Sequence, residues 1–276
     1  MAVLTLSRQS GSYGTQISKT LAENLKYRFL DKESLEKALS TYGVPPASLE
    51  KYDEKRPSFW EIFSSERNRY LHFLKTVIYD FALQGGGIVL GRGAQVLLAG
   101  VPGVYHVRVI APLADRIERV KEAYKCDARQ AEAIIRHSDH ARNGFHRFFY
   151  NVNWEDGSLY DLVLNTHSFS VEAAAELLHK ALLLGDSKEL QKQRERRLRD
   201  LCLKQQVETA LLYTEAIPVK FLETEVHDGA VVLNGTVNSR AAVVRCEEVT
   251  RAVPGVKQVE NRIFYSTELY GYMPHT

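Results

Sequence analysis

Short apolar runs and longer stretches of helical spacing alternate along the first two thirds of the chain. Val3-Leu4-Thr5-Leu6 reads as a buried strand, and Ile17, Leu21, Ala22 and Leu25 then recur at the spacing of one helix face. The spacing predicts an amphipathic helix over 66–83, with Tyr70, Phe73, Leu74, Val77, Ile78 and Phe81 on its apolar side, ended by Gly85-Gly86-Gly87. "IVLG" (88–91) reads as a second strand. "VYHVRVIA" (104–111) is a third, with a helix from about Leu113, and "YDLVLN" (160–165) a fourth, with a helix over 170–184. Strands that alternate with helices predict an α/β fold, a parallel sheet covered on both faces.

The pattern changes after Gly185. Residues 186–204, "DSKELQKQRERRLRDLCLK", hold seven Lys/Arg against four Asp/Glu and only a thin apolar stripe at Leu190, Leu198 and Leu201. That composition predicts a solvated connecting helix; the interleaved acids and the lack of aromatics argue against a nucleic-acid stripe. An apolar helix follows (Val207–Leu212), then two alternating strands joined at Asp228-Gly229, a hairpin signal. A helix over 239–253, a "PGV" turn and the strand "VENRIFY" complete a compact α+β module. The expected organisation is a domain over 1–185, a charged helical linker over 186–204 and a small α+β domain over 205–267.

Composition narrows this little. The chain has 276 residues, 45% hydrophobic and 25% charged, with a formal net charge of +2, ordinary values for a globular protein. Cys126, Cys202 and Cys246 lie far apart and form neither a zinc pattern nor a disulfide framework, which suits a reducing compartment. The opening apolar run has no basic leader before it and Arg8 interrupts it, and no apolar stretch approaches membrane-spanning length. A cytoplasmic protein without a membrane span or a nucleic-acid partner is the expectation.

The candidate chemistry lies in "SRQSGSYGTQIS" (7–18), between the first strand and the first helix. A phosphate-binding loop wraps phosphates in backbone N–H groups over a helix N-terminus; its lysine reaches the outer phosphates and its hydroxyl ligates Mg²⁺. With Thr15 in the hydroxyl position, Gly14 stands where the lysine belongs, Tyr13 at the second glycine and Arg8 at the first. On the loop alone, a glycine-rich turn is an equal reading. Arg8 is the nearest cation to replace the lysine, since a guanidinium bridges two phosphate oxygens; a surface arginine after a strand is the plain alternative.

"LTLSRQSGSYGTQISKTLAENLKYRFLDKE", "KYDEKRPSF", "GIVLGRGAQVLL", "VPGVYHVRVIAPLADRIERV" and "YDLVLNT" occur in this order, and over about residues 1–184 the chain resembles the cytidylate kinase-like family. The resemblance implies a P-loop kinase fold and Mg²⁺-dependent phosphoryl transfer from ATP to a nucleoside monophosphate, with CMP or dCMP the first choice. In that family the lysine is absent as a rule, whereas Tyr13 is this chain's own departure. The resemblance assigns Gly11, Ser12, Gly14 and Thr15 to the ATP phosphates, with Thr15 also on the metal, and Arg92 and Asp31 to the acceptor. "YDEK" (52–55) falls where the family's acceptor-binding insertion lies. It assigns "IIRHSDHARNGFHRFFYNVNW" to a lid whose D-x-x-R element is Asp139 and Arg142, catalytic together with Arg8. The Arg-Asp pair expected before it is absent, with Arg136 and Arg147 as candidates to compensate. A metal set of His137, Asp139, His140 and His146 is a weaker reading of that stretch, for no cysteine or further acid completes it. Arg116 and Arg119 lie one helical turn apart and so can face one cleft, or serve as ordinary surface charges. Asp161 and Asn165 read as supports for the end of the fourth strand.

"VHDGAVVLNGTVNSRAAVVRCEEVTRAVPGVKQVENRIFY" resembles a BON domain over about 205–266. That resemblance implies a binding or regulatory module for an unknown ligand or protein. Two functions are therefore expected from the chain: a kinase, or a nucleotide-binding sensor that has lost turnover and signals through the BON module.

Overall fold

The computed structural model describes residues 1–45 and 65–266, and the YDEK stretch (52–55) lies outside them. Two compact units divide the chain, Met1–Arg194 and Glu195–Thr276.

In the first unit, β1 (Val3–Arg8), β2 (Arg28–Leu30), β3 (Gly87–Leu90), β4 (Val104–Ile110) and β5 (Leu162–Asn165) form a parallel sheet in the order β2-β3-β1-β4-β5. β1 is central and its residues from Val3 to Leu6 are fully buried, as its uninterrupted apolar run requires. The helices are α1 (Gly14–Leu25), α2 (Lys32–Thr41), α3 (Ser65–Leu83), the short α4 (Ala94–Leu97), α5 (Leu113–Tyr124), α6 (Ala128–Tyr150) and α7 (Val171–Gly185). Leu4, Leu6, Ile17, Leu21, Ile88, Val107, Val109, Ala174 and Leu178 make one core between the sheet, α1 and α7. All five strands run the same way, so their carboxyl ends and the loops that leave them share one edge, the ligand edge of open α/β sheets.

The sequence reading differs from this in three places. β2 is a strand of only three residues, too short to show a period, and it completes the sheet beside β3. The polar, aromatic-rich stretch after Asp127 is one continuous helix of 23 residues, α6, opened by an Asp127–Gln130 capping box and burying Ala131, Ile135, Phe145, His146 and Phe149. The charged stretch after Gly185 and the apolar helix after it are likewise one helix, α8 (Lys188–Thr209), which runs into a π turn at Ala210–Thr214. Its charges are not all solvated. Arg194 is 2% exposed, and its guanidinium donates to the carbonyls of Met1 (2.8 Å) and Gly103 (3.2 Å). A long side chain threads between neighbours there and gives two backbone carbonyls a charged donor.

The second unit pairs β6 (Lys220–His227) antiparallel with β7 (Ala230–Val237) through the turn at Asp228-Gly229, where both φ values are positive. β8 (Gln258–Tyr265) lies parallel to β7. Helix α9 (Arg240–Ala252) and the last turns of α8 cover one face: Leu203, Val207, Leu211, Cys246 and Val249 pack on Val231, Leu233, Val259 and Ile263. All three cysteines are free thiols, and burial pushes that of Cys246 up to about 11. No helix among the described residues is long and apolar enough to cross a membrane.

Candidate functional site

The loop between β1 and α1 is held rigidly. The Gln9 N–H donates to the Val109 carbonyl (3.0 Å), its side-chain oxygen accepts from the Ala111 N–H (3.2 Å), and its own carbonyl accepts both the N–H and the hydroxyl of Ser12. Ser12 is fully buried and its carbonyl accepts the Thr166 hydroxyl (3.0 Å), so Ser12 closes the loop from inside. Gly11 has φ 76°, and a Cβ there would lie 2.9 Å from the Arg116 carbonyl, so only glycine fits. Tyr13 (φ 64°) occupies the cap position of α1 and leaves Thr15 in the first turn, at the positive end of a twelve-residue helix.

The missing lysine has a steric explanation. A Cβ on Gly14 would lie 2.4 Å from Arg8 Cβ and 3.0 Å from Arg8 Cγ. The stem of Arg8 therefore fills the space through which a side chain at position 14 would leave the helix. No lysine fits here while the stem of Arg8 occupies this space.

Two further arginines grip the loop from α5. Arg116 Nη1 donates to the Ser10 carbonyl (3.3 Å) and to the Asp139 carboxylate (2.5 Å). Arg119 donates to the Gly11 carbonyl (3.3 Å) and to the hydroxyl (3.0 Å) and carbonyl (2.9 Å) of Thr166, and its guanidinium lies 4.1 Å from the centre of the Tyr13 ring. Asp139, on α6, accepts the Ser10 N–H (2.9 Å) and a hydrogen bond from Arg142 (3.3 Å). The D-x-x-R pair is thus seated directly on the loop, with Arg116 beside it. On the outer side of Tyr13 and Arg119 a cleft of about 740 Å³ opens, lined also by Asp115, Lys121, Lys125 and His167.

On the other side of α1, Arg8, Thr15, Lys19, Asp31, Glu36 and Leu90 line a second cleft of about 260 Å³. Asp31 is the N-cap of α2: its carboxylate accepts the Ser34 N–H (3.0 Å) and hydroxyl (2.6 Å). Desolvation raises its pKa, but the Ser34 hydrogen bonds and the Lys19 charge outweigh that and hold the carboxyl below its ordinary value. Arg92 lies in the left-handed run Gly91-Arg92-Gly93 after β3 and is 4% exposed. Its guanidinium faces Glu36 at 3.5 Å, and its carbonyl accepts the Tyr150 hydroxyl (2.8 Å). An arginine held at positive φ costs about 1 kcal/mol, strain of the kind that collects at functional turns.

Among the compensating cations, Arg136 pairs with Glu132 on the exposed side of α6 (2.5 Å), away from the loop. His146 is buried and shares hydrogen bonds with Gln95 (2.8 Å) and the Arg142 carbonyl (2.7 Å). Its environment is that of a structural histidine, and among the described residues no group of three His, Cys, Asp or Glu side chains could hold a metal ion. Trp154, 1% exposed, donates to the Ser7 hydroxyl (2.6 Å), and Arg108 donates to the Trp154 carbonyl (2.5 Å), so a buried polar network underlies the end of β1. Asp161 accepts the His106 N–H (2.7 Å) and Asn165 that of His167 (3.0 Å), and both secure the ends of β5.

Sequence reasoning did not single out Thr166, Gln9, Lys19 or Trp154. Lys19 had a signal, four residues after Thr15 and so on the same helix face. Thr166 and Trp154 had none, because their partners lie 154 and 147 residues away.

Comparison with known proteins agrees with this architecture. A 99-residue stretch is 35% identical to the uronate isomerase of Corynebacterium glutamicum, covering 35% of this chain but only 19% of that protein. The cytidylate kinase of Natronomonas pharaonis is 24% identical over 186 residues, 65% of this chain and 88% of that enzyme. The crystal structure of an uncharacterized protein from Eubacterium ventriosum shares the fold, with a TM-score of 0.52 at 19% identity over 66% of this chain and 98% of that one. Residues 200–266 match the BON domain. Residues 3–168 match the cytidylate kinase-like family, and with its strand–loop–helix and its five-stranded parallel sheet the chain belongs to that family.

Proposed function

We propose that the first unit transfers a phosphoryl group from ATP to a nucleoside monophosphate, with CMP or dCMP the first choice of acceptor. One observation carries this reading: Arg116, Asp139 and Arg142, from α5 and α6, meet at Ser10 of the loop, and Arg8 of β1 lines a cleft with Thr15 at the positive end of α1. Phosphoryl transfer works mainly by positioning and charge neutralisation, so such a gathering is what the reaction needs.

In this reading, the backbone of Gly11, Gly14 and Thr15, over the N-terminus of α1, holds the donor phosphates, with Ser12 bracing the loop from inside. Arg8 takes the role of the absent lysine, and Arg142 neutralises the group in transit. Arg92 and Asp31 flank the acceptor side, where Glu36 orients the Arg92 guanidinium. A magnesium ion suits the donor set, because it takes most of its oxygens from substrate phosphates and water and needs few from protein. Thr15 would supply a hydroxyl to it, and the ion would supply charge neutralisation across the phosphates. Mixed charge around the 260 Å³ cleft favours an acceptor that carries both an anion and hydroxyl groups.

The second reading, a nucleotide sensor without turnover, is favoured by Tyr13, whose ring stands against Arg119 at the mouth of the loop. The BON domain is proposed as the binding or regulatory module in either case. A coupled assay of the purified chain with ATP, Mg²⁺ and each monophosphate in turn separates the two: turnover with a pyrimidine monophosphate supports the kinase. Saturable ATP binding without turnover on any acceptor leaves the sensor.

A further inference from the structure

The Asp139 carboxylate stands where the loop would receive an anion. Three donors from three elements converge on it: the Ser10 N–H of the loop (2.9 Å), Arg116 of α5 (2.5 Å) and Arg142 of α6 (3.3 Å). Arg116 is 8% exposed, so its charge is largely removed from water and needs a counter-anion close by. A backbone N–H at a phosphate-binding loop, flanked by two guanidinium groups, is a donor set for a phosphoryl group, and a carboxylate presents the same kind of paired acceptor oxygens.

Helix α6 holds that carboxylate in place from both sides. Ahead of it, Ala131 and Ile135 pack with Val120 against α5. After it, Phe145 and Phe149 pack as a tilted pair in a buried aromatic group with ring centres 4.7 Å apart. The segment that bears Asp139 is therefore anchored by packing at both ends rather than a loose flap.

We propose that Asp139 is an internal occupant of the phosphate site, a carboxylate that neutralises Arg116 and caps the Ser10 N–H until a phosphoryl group of a nucleoside triphosphate takes over the same three donors. The proposal rests on the nucleotide-binding reading of the loop. It makes the affinity for phosphates a difference: each entering phosphoryl group must displace a charged hydrogen-bonded competitor already in position. A lid aspartate that merely supported the arginines would have the opposite effect on affinity when its charge was removed.

Titration calorimetry on the full chain, with Mg²⁺–ATP and separately with inorganic pyrophosphate, tests it on wild type and on Asp139→Asn, which keeps the shape and an acceptor oxygen but not the charge. The expected result is tighter binding of both probes by Asp139→Asn, on the order of ten-fold. Unchanged or weaker binding by a variant that melts at the wild-type temperature overturns the proposal and leaves the nucleotide reading intact. Failure of both proteins to bind either probe overturns the nucleotide reading and the proposal with it. If Asp139→Asn melts early, Asp139→Ser, which vacates the site without adding bulk, is titrated in its place and held to the same two outcomes.

Discussion

Restoring a lysine at position 14 is the change a comparison of loop motifs would suggest, and the geometry predicts that it harms the protein. Any side chain at Gly14 begins with a Cβ 2.4 Å from Arg8 Cβ and 3.3 Å from Val109 Cβ. Favourable carbon–carbon contacts begin near 3.5 Å, so these are repulsive. Neither neighbour escapes by changing rotamer, because both atoms sit directly on the paired backbones of β1 and β4. Gly14 does not have positive φ, so Gly14→Ala at the first position of α1 should otherwise gain up to about 1 kcal/mol from helix propensity. Overpacking of a closed site costs about 1–3 kcal/mol, which outweighs that gain. Against the full propensity gain the net loss is roughly 0–2 kcal/mol, or a fall in Tm of up to roughly 8 °C for a unit of this size. Gly14→Lys should lose at least as much and gain no turnover. Scanning calorimetry reads the stability, and a double-mutant cycle with Arg8→Gly, which deletes the clashing Cβ, reads the cause: the pair should couple by at least about 0.5 kcal/mol in the relieving direction. A Gly14→Ala chain that melts higher than wild type, or a Gly14→Lys chain with raised turnover, would refute the argument.

Other outcomes follow from the same geometry. Arg92→Ala should mainly raise KM for the acceptor and Arg142→Ala should mainly lower kcat, by orders of magnitude if Arg142 acts on the group in transit; steady-state kinetics with unchanged constants in both variants would remove these assignments. Cys246 keeps its proton up to about 11 in the folded chain against 9.0 in an ordinary thiol. The stability this contributes is complete below pH 9.0 and is lost as pH rises toward about 11, so thermal melts over that range should fall more steeply for wild type than for Cys246→Ala. A chain cut after Gly185 loses Arg194 from the Met1 and Gly103 carbonyls, so it should melt several degrees below a chain cut after Arg199; equal melting would deny that Arg194 belongs to the first unit.

The sheet was readable where its strands are buried, because a buried strand shows as a mainly apolar run. β1 and β3 have that signature, and β4 has it apart from His106 and Arg108. β2 does not, for Arg28-Phe29-Leu30 is too short to carry a pattern and exists through its pairing with β3. The continuity of α6 was hidden because its two buried patches, around Ile135 and around Phe145, are separated by a polar stretch, in which Asp139 accepts the Ser10 N–H of the loop. In α8 the reading failed for a different reason. Arg194 looks solvated by composition, but two backbone carbonyls of remote segments wait for it, and no local pattern records them.

At the candidate site, residue types were legible and partnerships were not. The loop, Arg8, Asp139 and Arg142 stand out as chemistry-bearing residues in sequence, yet the contacts that give them meaning span 129 residues from Ser10 to Asp139 and 106 from Arg116 to Ser10. The missing lysine shows the difference most clearly. Read along the chain, Gly14 is a deletion of charge from the loop. In three dimensions it is a requirement of Arg8, whose stem crosses the helix start and can do so only over a residue without a side chain. In the proposed reading, the positive charge that a lysine would bring from inside the loop comes instead from β1, α5 and α6, on Arg8, Arg116 and Arg142. Charge carried by three elements has a property that a lysine in the loop lacks: it depends on how those elements are held, and here a carboxylate on α6 touches two of the three cations and the loop itself. A site built this way can be set by the position of one side chain, which makes Asp139, rather than Gly14, the residue whose replacement most directly reads the design of the loop.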